Sequence, residues 1–170
     1  MRKCLISAAM VCMFLLPVSV YGTEIIDGAA EIKDAWTKEV LLDVSVKTIR
    51  LPVDYPYRYS MMWGVEQTGE GVYGLPETIV QSMDVRVNDE DIYIPLSAYG
   101  DLGNAREVTV ERTINGFNVI ITGGEGDLSY RAVLKFDFVN ILRRVIKRGE
   151  YPFADRQETV YSFIDYDSDL

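Results

Sequence analysis

Apolar and polar residues alternate along most of this chain, and a period of two marks half-buried strands. Leu42, Val44, Val46 and Thr48 interleave with Asp43, Ser45 and Lys47 over residues 41–49. Val85 and Val87 lead into Asn88-Asp89-Glu90-Asp91, then Ile92 and Ile94 follow until Pro95. That is a strand, a polar turn and a strand. Val108, Val110 and Arg112 approach Asn115-Gly116, and Phe117, Val119 and Ile121 alternate beyond it. Asn-Gly favours the positive φ angles of a type I′ turn, so a tight hairpin is predicted there. Gly123-Gly124-Glu125-Gly126-Asp127 predicts the next turn, and Tyr130, Ala132, Leu134 and Phe136 alternate with Arg131, Val133 and Lys135 after it. Residues 140–148 carry Ile141, Leu142, Val145 and Ile146, a spacing that fits a helix face as well as a strand. The neighbouring hairpins and the short hinge at 137–140 favour the strand. Thr159, Tyr161 and Phe163 close the pattern.

The remaining segments are less regular. Residues 23–38 read as a lead-in: Ile25, Ile26, Ala29, Ala30 and Ile32 fit a short helix face that Gly28 weakens, or a loose linker. Pro52 and Pro56 restrict residues 51–57 to extended or turn forms, and residues 59–65 fit another strand. Gly69, Gly71 and Gly74 make residues 67–77 a loop ending at Pro76. In Pro95–Leu102, Ser97 is placed to cap one helical turn, with Tyr99 and Leu102 plugging the end of the fold. About eight or nine strands with turn signals between them predict an all-β fold. An antiparallel two-sheet sandwich, jelly-roll-like, over residues 39–164 buries the alternating faces; a small β-barrel is the alternative.

The N-terminus is of another kind. Arg2 and Lys3 precede an uncharged run from Cys4 to Val20, broken by Pro17. This is the layout of a cleaved signal peptide over residues 1–22, with Val20-Tyr21-Gly22 placing the cut before Thr23. A membrane span needs about 20 apolar residues, which Pro17 and Ser19 do not leave, so no stable membrane insertion is expected after cleavage. Neither Cys4 nor Cys12 ends the apolar run, where a lipid-modified cysteine would stand. The reading therefore places the protein outside the cytoplasm, periplasmic or secreted. Residues 165–170 form an acidic tail.

Cleavage changes the charge. The full chain has 17 basic and 26 acidic residues; losing Arg2 and Lys3 moves its net charge from −9 to −11. An acidic surface argues against nucleic acid and anionic membranes, and favours solubility and cationic partners. Both cysteines leave with the leader, so the domain is cysteine-free and folds without disulfides.

The chain contains no histidine. Serine–histidine and cysteine–histidine catalysis thus lack a base or a nucleophile, and ordinary zinc or copper sites lack ligands. No serine stands three residues before a lysine. No cofactor and no metal are expected. The glycine run at 123–127 departs from the calcium-binding repeat by one position, and the tail 165–169 stops short of a calcium loop. Carboxylates remain: Glu66, Glu77, Glu111 and Glu158 lie in or near strands, the raw material of a small glycoside hydrolase.

Aromatic residues are densest at Tyr55, Tyr57, Tyr59 and Trp63. Tyr57, Tyr59 and Trp63 are the candidate ligand-binding residues, because exposed rings bind sugars and proteins; the competing expectation is that they are core. The function expected is non-enzymatic binding of a protein or carbohydrate by an exported β-domain. The alternatives are the hydrolase and a structural subunit of an envelope assembly.

Overall fold

The computed structural model describes residues 20–35, 40–51, 62–64, 66–67, 73–148 and 155–163. Twelve strands follow in chain order among them: β1 (Val20–Glu24), β2 (Ala29–Ala35), β3 (Leu41–Arg50), β4 (Glu66–Gln67), β5 (Tyr73–Gly74), β6 (Thr78–Val87), β7 (Glu90–Asp91), β8 (Ala105–Thr113), β9 (Gly116–Gly123), β10 (Tyr130–Phe136), β11 (Ile141–Arg148) and β12 (Asp155–Val160). They form a six-stranded sheet ordered β1-β8-β9-β10-β11-β12, a four-stranded sheet ordered β2-β3-β6-β7, and the small pair β4-β5. All named strand pairings are antiparallel. This is the all-β, two-sheet sandwich that the alternation predicts. Both sheets are open, so the barrel alternative falls. Within the larger sheet β8 to β12 run as a plain meander, and the chain changes sheets between β1 and β2 and between β7 and β8.

The alternation explains the packing. Leu42, Val44 and Val46 of β3 are buried, as are Met83, Val85 and Val87 of β6, while Asp84 and Arg86 face solvent. From the other sheet Val108, Val110, Phe117, Val119, Ile121, Ala132, Leu134, Phe136, Ile141 and Ile146 join the same core. Phe117 and Phe136 are directly paired across β9 and β10 and stack with centroids 4.9 Å apart. Such a pair adds about 0.5–1.5 kcal/mol beyond its area. β9 and β10 are the two central strands of this sheet, and Ile120 on the outer face of β9 is buried too, in a row with Val133 and Val145.

Several segments differ from the sequence expectations. The lead-in is neither helix nor linker: Asp27 (φ 51°) and Gly28 (φ 79°) turn the chain between Ile26 and Ala29, and β1 and β2 splay into different sheets. An Asp-Gly pair supplies the two positive φ angles of a type I′ turn. β1 also begins at Val20, three residues before the expected cleavage point. The β8–β9 hairpin is present, but its turn residues are Ile114 and Asn115, with Thr113 paired to Gly116, and Asn115 does not adopt a positive φ. The type I′ geometry lies instead at Asn88 (φ 53°) and Asp89 (φ 66°), between β6 and β7. Ile92 and Ile94 belong to the extended stretch after β7. The 3₁₀ turn Leu96–Ala98 starts from Pro95 with no side-chain cap, so Ser97 lies inside it and does not cap it. Leu102 is fully buried and Tyr99 packs against the core, as expected of plugs. Within residues 140–148 the strand expectation holds, as β11 over Ile141–Arg148. The tail 165–170 lies outside the described residues.

Candidate functional site

Tyr57 and Tyr59 lie outside the described residues, so the structure speaks only to Trp63. Trp63 is half-buried and packs against the core; it is not an open platform. Its backbone is tied to the loop before β8. The Trp63 N–H donates to the Asp101 carbonyl at 2.8 Å, and the Gly103 N–H donates to the Trp63 carbonyl at 2.9 Å. Asn104 holds the next residue: its Nδ2 donates to the Gly64 carbonyl at 3.0 Å, while its Oδ1 accepts from the Thr78 N–H at 3.1 Å. Gly64 is required here. Its φ is +71°, and a Cβ would stand 2.2 Å from the Gly103 carbonyl oxygen and 2.9 Å from the Tyr130 ring.

The indole meets a polar cluster. Trp63 Nε1 donates to Gln157 Oε1 at 3.3 Å, and Arg144 Nη1 donates to the same oxygen at 3.0 Å. Arg144 Nη2 pairs with Asp101 Oδ1. The Arg144 side chain is 2% exposed and that of Asp101 19%, so the pair is almost wholly inside the protein. Such pairs are sharply unequal in their parts: attraction and desolvation nearly cancel while both are present, and losing one strands a buried charge.

A bulge puts Arg144 there. Lys135 pairs with Arg143 but Phe136 pairs with Ile141, so Leu142 is the extra residue. The bulge shifts the phase of β11, and Arg144 shares the interior face with Ile141, Ile146 and its partner Leu134. Arg143 turns outward and pairs with Glu158. Tyr130 stands nearby, 2% exposed, its hydroxyl without a hydrogen-bond partner among the described residues. Burial pushes its phenol far above the ordinary value; the Asp101 charge adds to this and Arg144 opposes it. Tyr161 is pushed up chiefly by burial as well, with Ser97 and Arg144 opposing.

Arg144, Asp101, Gln157 and Tyr130 were not singled out in the sequence. One signal existed: Arg143-Arg144 interrupts the apolar run 141–146, and alternation sends one of two adjacent arginines inward.

A second feature is an apolar corner. Tyr161 N–H donates to the Leu142 carbonyl at 3.0 Å, which sets residues 160–163 beside the start of β11 and the 137–140 turn. Val139 and Val160 are each 70% exposed, and Leu142, Phe138 and Phe163 are exposed as well. The Asp137 carboxylate accepts from the Val139 and Asn140 N–H groups at 2.7 and 2.6 Å, holding the turn that presents Phe138 and Val139. β12 is the last strand of its sheet.

The carboxylates considered for hydrolysis are spent differently. Glu77 pairs with Arg50 at 3.2 Å, Glu111 with Arg131 at 2.9 Å, and Glu158 with Arg143. Glu111 on β8 and Glu158 on β12 are four strand steps apart, about 19 Å at the usual strand spacing. A glycosidase pair sits within about 10 Å. Glu66 lies in β4.

No protein-family model, no curated protein and no solved structure matches this chain.

Proposed function

We propose that this is an exported, extracytoplasmic, non-enzymatic domain that binds a protein partner through the corner formed by the 137–140 turn, the start of β11 and the end of β12. The observation that carries the reading is that Phe138, Val139, Leu142, Val160 and Phe163 are all exposed, on segments that the Arg143–Val160 pairing and the Tyr161–Leu142 hydrogen bond bring alongside one another. Isolated exposed apolar residues are ordinary on any surface; several gathered together mark an interaction site. Polar groups lie on the same segments, among them Asn140 and the Arg143–Glu158 ion pair, as at the rims of other protein interfaces. A protein is favoured over a carbohydrate because Trp63 is half-buried and its N–H is already engaged, whereas the corner residues are open. Export rests on the charge and apolar layout of residues 1–22.

The test is capture from the native envelope and medium with the processed protein, beside a Val139→Glu/Leu142→Lys/Phe163→Asp variant of unchanged melting temperature. The proposal expects a protein held by the first and lost by the second. Equal recovery of the same protein by both would overturn the docking site. Retention of glycans in place of protein would turn the reading toward carbohydrate.

A further inference from the structure

β1 crosses the expected processing point. Val20, Tyr21 and Gly22 pair with Glu111, Val110 and Thr109 of β8, and Thr23 and Glu24 pair with Val108 and Glu107. Cleavage before Thr23 removes the first three of these five residues. We propose that processing of the leader opens a slot on the edge of β8, and that the slot accepts an extended strand from a partner protein by strand addition. The inference rests on the processing step proposed above and is independent of the apolar corner.

The geometry of the slot follows from the register. Ile25 N–H donates to the Arg106 carbonyl at 2.7 Å, and hydrogen-bonded pairs alternate along an antiparallel ladder. Thr23 therefore exchanges its bonds with Val108, and Tyr21 with Val110. Removing residues 20–22 leaves the N–H and the carbonyl of Val110 without a strand, although the Val110 side chain is fully buried in the core. An edge of this kind is a template for an incoming chain.

Three features define what fits. Arg112 carries its guanidinium 5.7 Å from the centre of the Tyr21 ring, so the slot favours an aromatic residue at that position. Asp34 fixes the guanidinium from the opposite sheet, with Nε to Oδ2 at 3.0 Å and Nη2 to Oδ1 at 2.7 Å, so the ring-binding surface does not depend on the leader. A Cβ at Gly22 would stand 3.0 Å from Glu107 Oε1, the tip of a flexible side chain, and 3.1 Å from Thr109 Oγ1, so a small residue fits the next position with the least adjustment. The leaving residues hold the edge lightly, since Val20, Tyr21 and Gly22 are all exposed. An incoming strand thus replaces the backbone bonds and the ring contact, and little buried area has to be recovered.

The experiment compares the exported, naturally processed protein with a version whose cut is moved so that the chain starts at Val20. Intact mass of the first fixes its start. A start at Thr23 is expected; a start at or before Val20 overturns the processing step and with it the slot. The second readout is amide exchange at Val110. Exchange at least tenfold faster is expected in a chain starting at Thr23 than in one starting at Val20. A synthetic peptide with the sequence of residues 18–24 should restore protection to the Thr23 chain, and the same peptide carrying Tyr21→Ala should bind at least tenfold more weakly. Equal Val110 protection in both chains, or no response to the peptide, overturns strand addition. Protection of the Thr23 chain that rises with its own concentration overturns the partner assignment in favour of a second copy.

Discussion

Removing Asp101 should be far more damaging than removing the whole ion pair. Asp101→Ala leaves the Arg144 guanidinium 2% exposed, with Gln157 as its remaining hydrogen-bond acceptor. Breaking one side of a buried pair costs about 3–5 kcal/mol. The 19% exposure of Asp101 lets water reach part of the gap, which places this variant near the lower figure, about 3 kcal/mol. For a domain of this size that corresponds to a fall in melting temperature of roughly 6–12 °C. Replacing both charges, as Asp101→Leu/Arg144→Met, removes the stranded charge and keeps the volume, so it should lie within about 1 kcal/mol of the parent. Urea unfolding of the parent, Asp101→Ala and the double variant gives the three free energies with one method. If Asp101→Ala costs less than about 1 kcal/mol, or the double variant is worse than the single, the Arg144 guanidinium is not held inside by Asp101 and the account of this cluster is wrong.

Gly116→Val should cost about 1–3 kcal/mol, because a Cβ there would stand 2.1 Å from the Phe136 carbonyl oxygen, and only a shift of β10 makes room; an unchanged chemical-denaturation midpoint would count against the β9–β10 register. Tyr130→Phe should leave stability unchanged or raise it by up to about 1 kcal/mol, since the hydroxyl it deletes is buried without a partner. The same substitution should weaken the alkaline loss of stability. The folded protein holds the Tyr130 proton more tightly than the unfolded chain, so this contribution is complete below the ordinary phenol value of 10.0 and declines as pH rises above it. Melting curves of the two proteins between neutral pH and about pH 11 would decide the matter, and parallel curves would refute it.

The strands of this protein were legible because their cause is local. Leu42, Val44 and Val46 face one way and Asp43, Ser45 and Lys47 the other in any pleated chain, whatever lies around it. The same holds for Tyr130 to Phe136, and the turn at residues 123–129 follows from its glycines. Asp27-Gly28 is equally local: its turn chemistry marks the tight turn between β1 and β2, although not that the two strands part into different sheets. Other features were not in the sequence to be read. Which of Arg143 and Arg144 enters the core depends on a one-residue bulge, and a bulge is chosen by the fit of β11 against β10 rather than by either strand alone. Trp63, Asp101, Arg144 and Gln157 come from four separate stretches of chain, so only the packing of residue 63 and the loop before β8 onto β11 and β12 brings them together. The apolar corner is likewise a product of register, since Val160 and Phe163 come alongside the start of β11 only when β12 pairs with it, with Val160 opposite Arg143. Alternation decides which residues a strand offers to each side; pairing and bulges, which are long-range, decide what those residues meet.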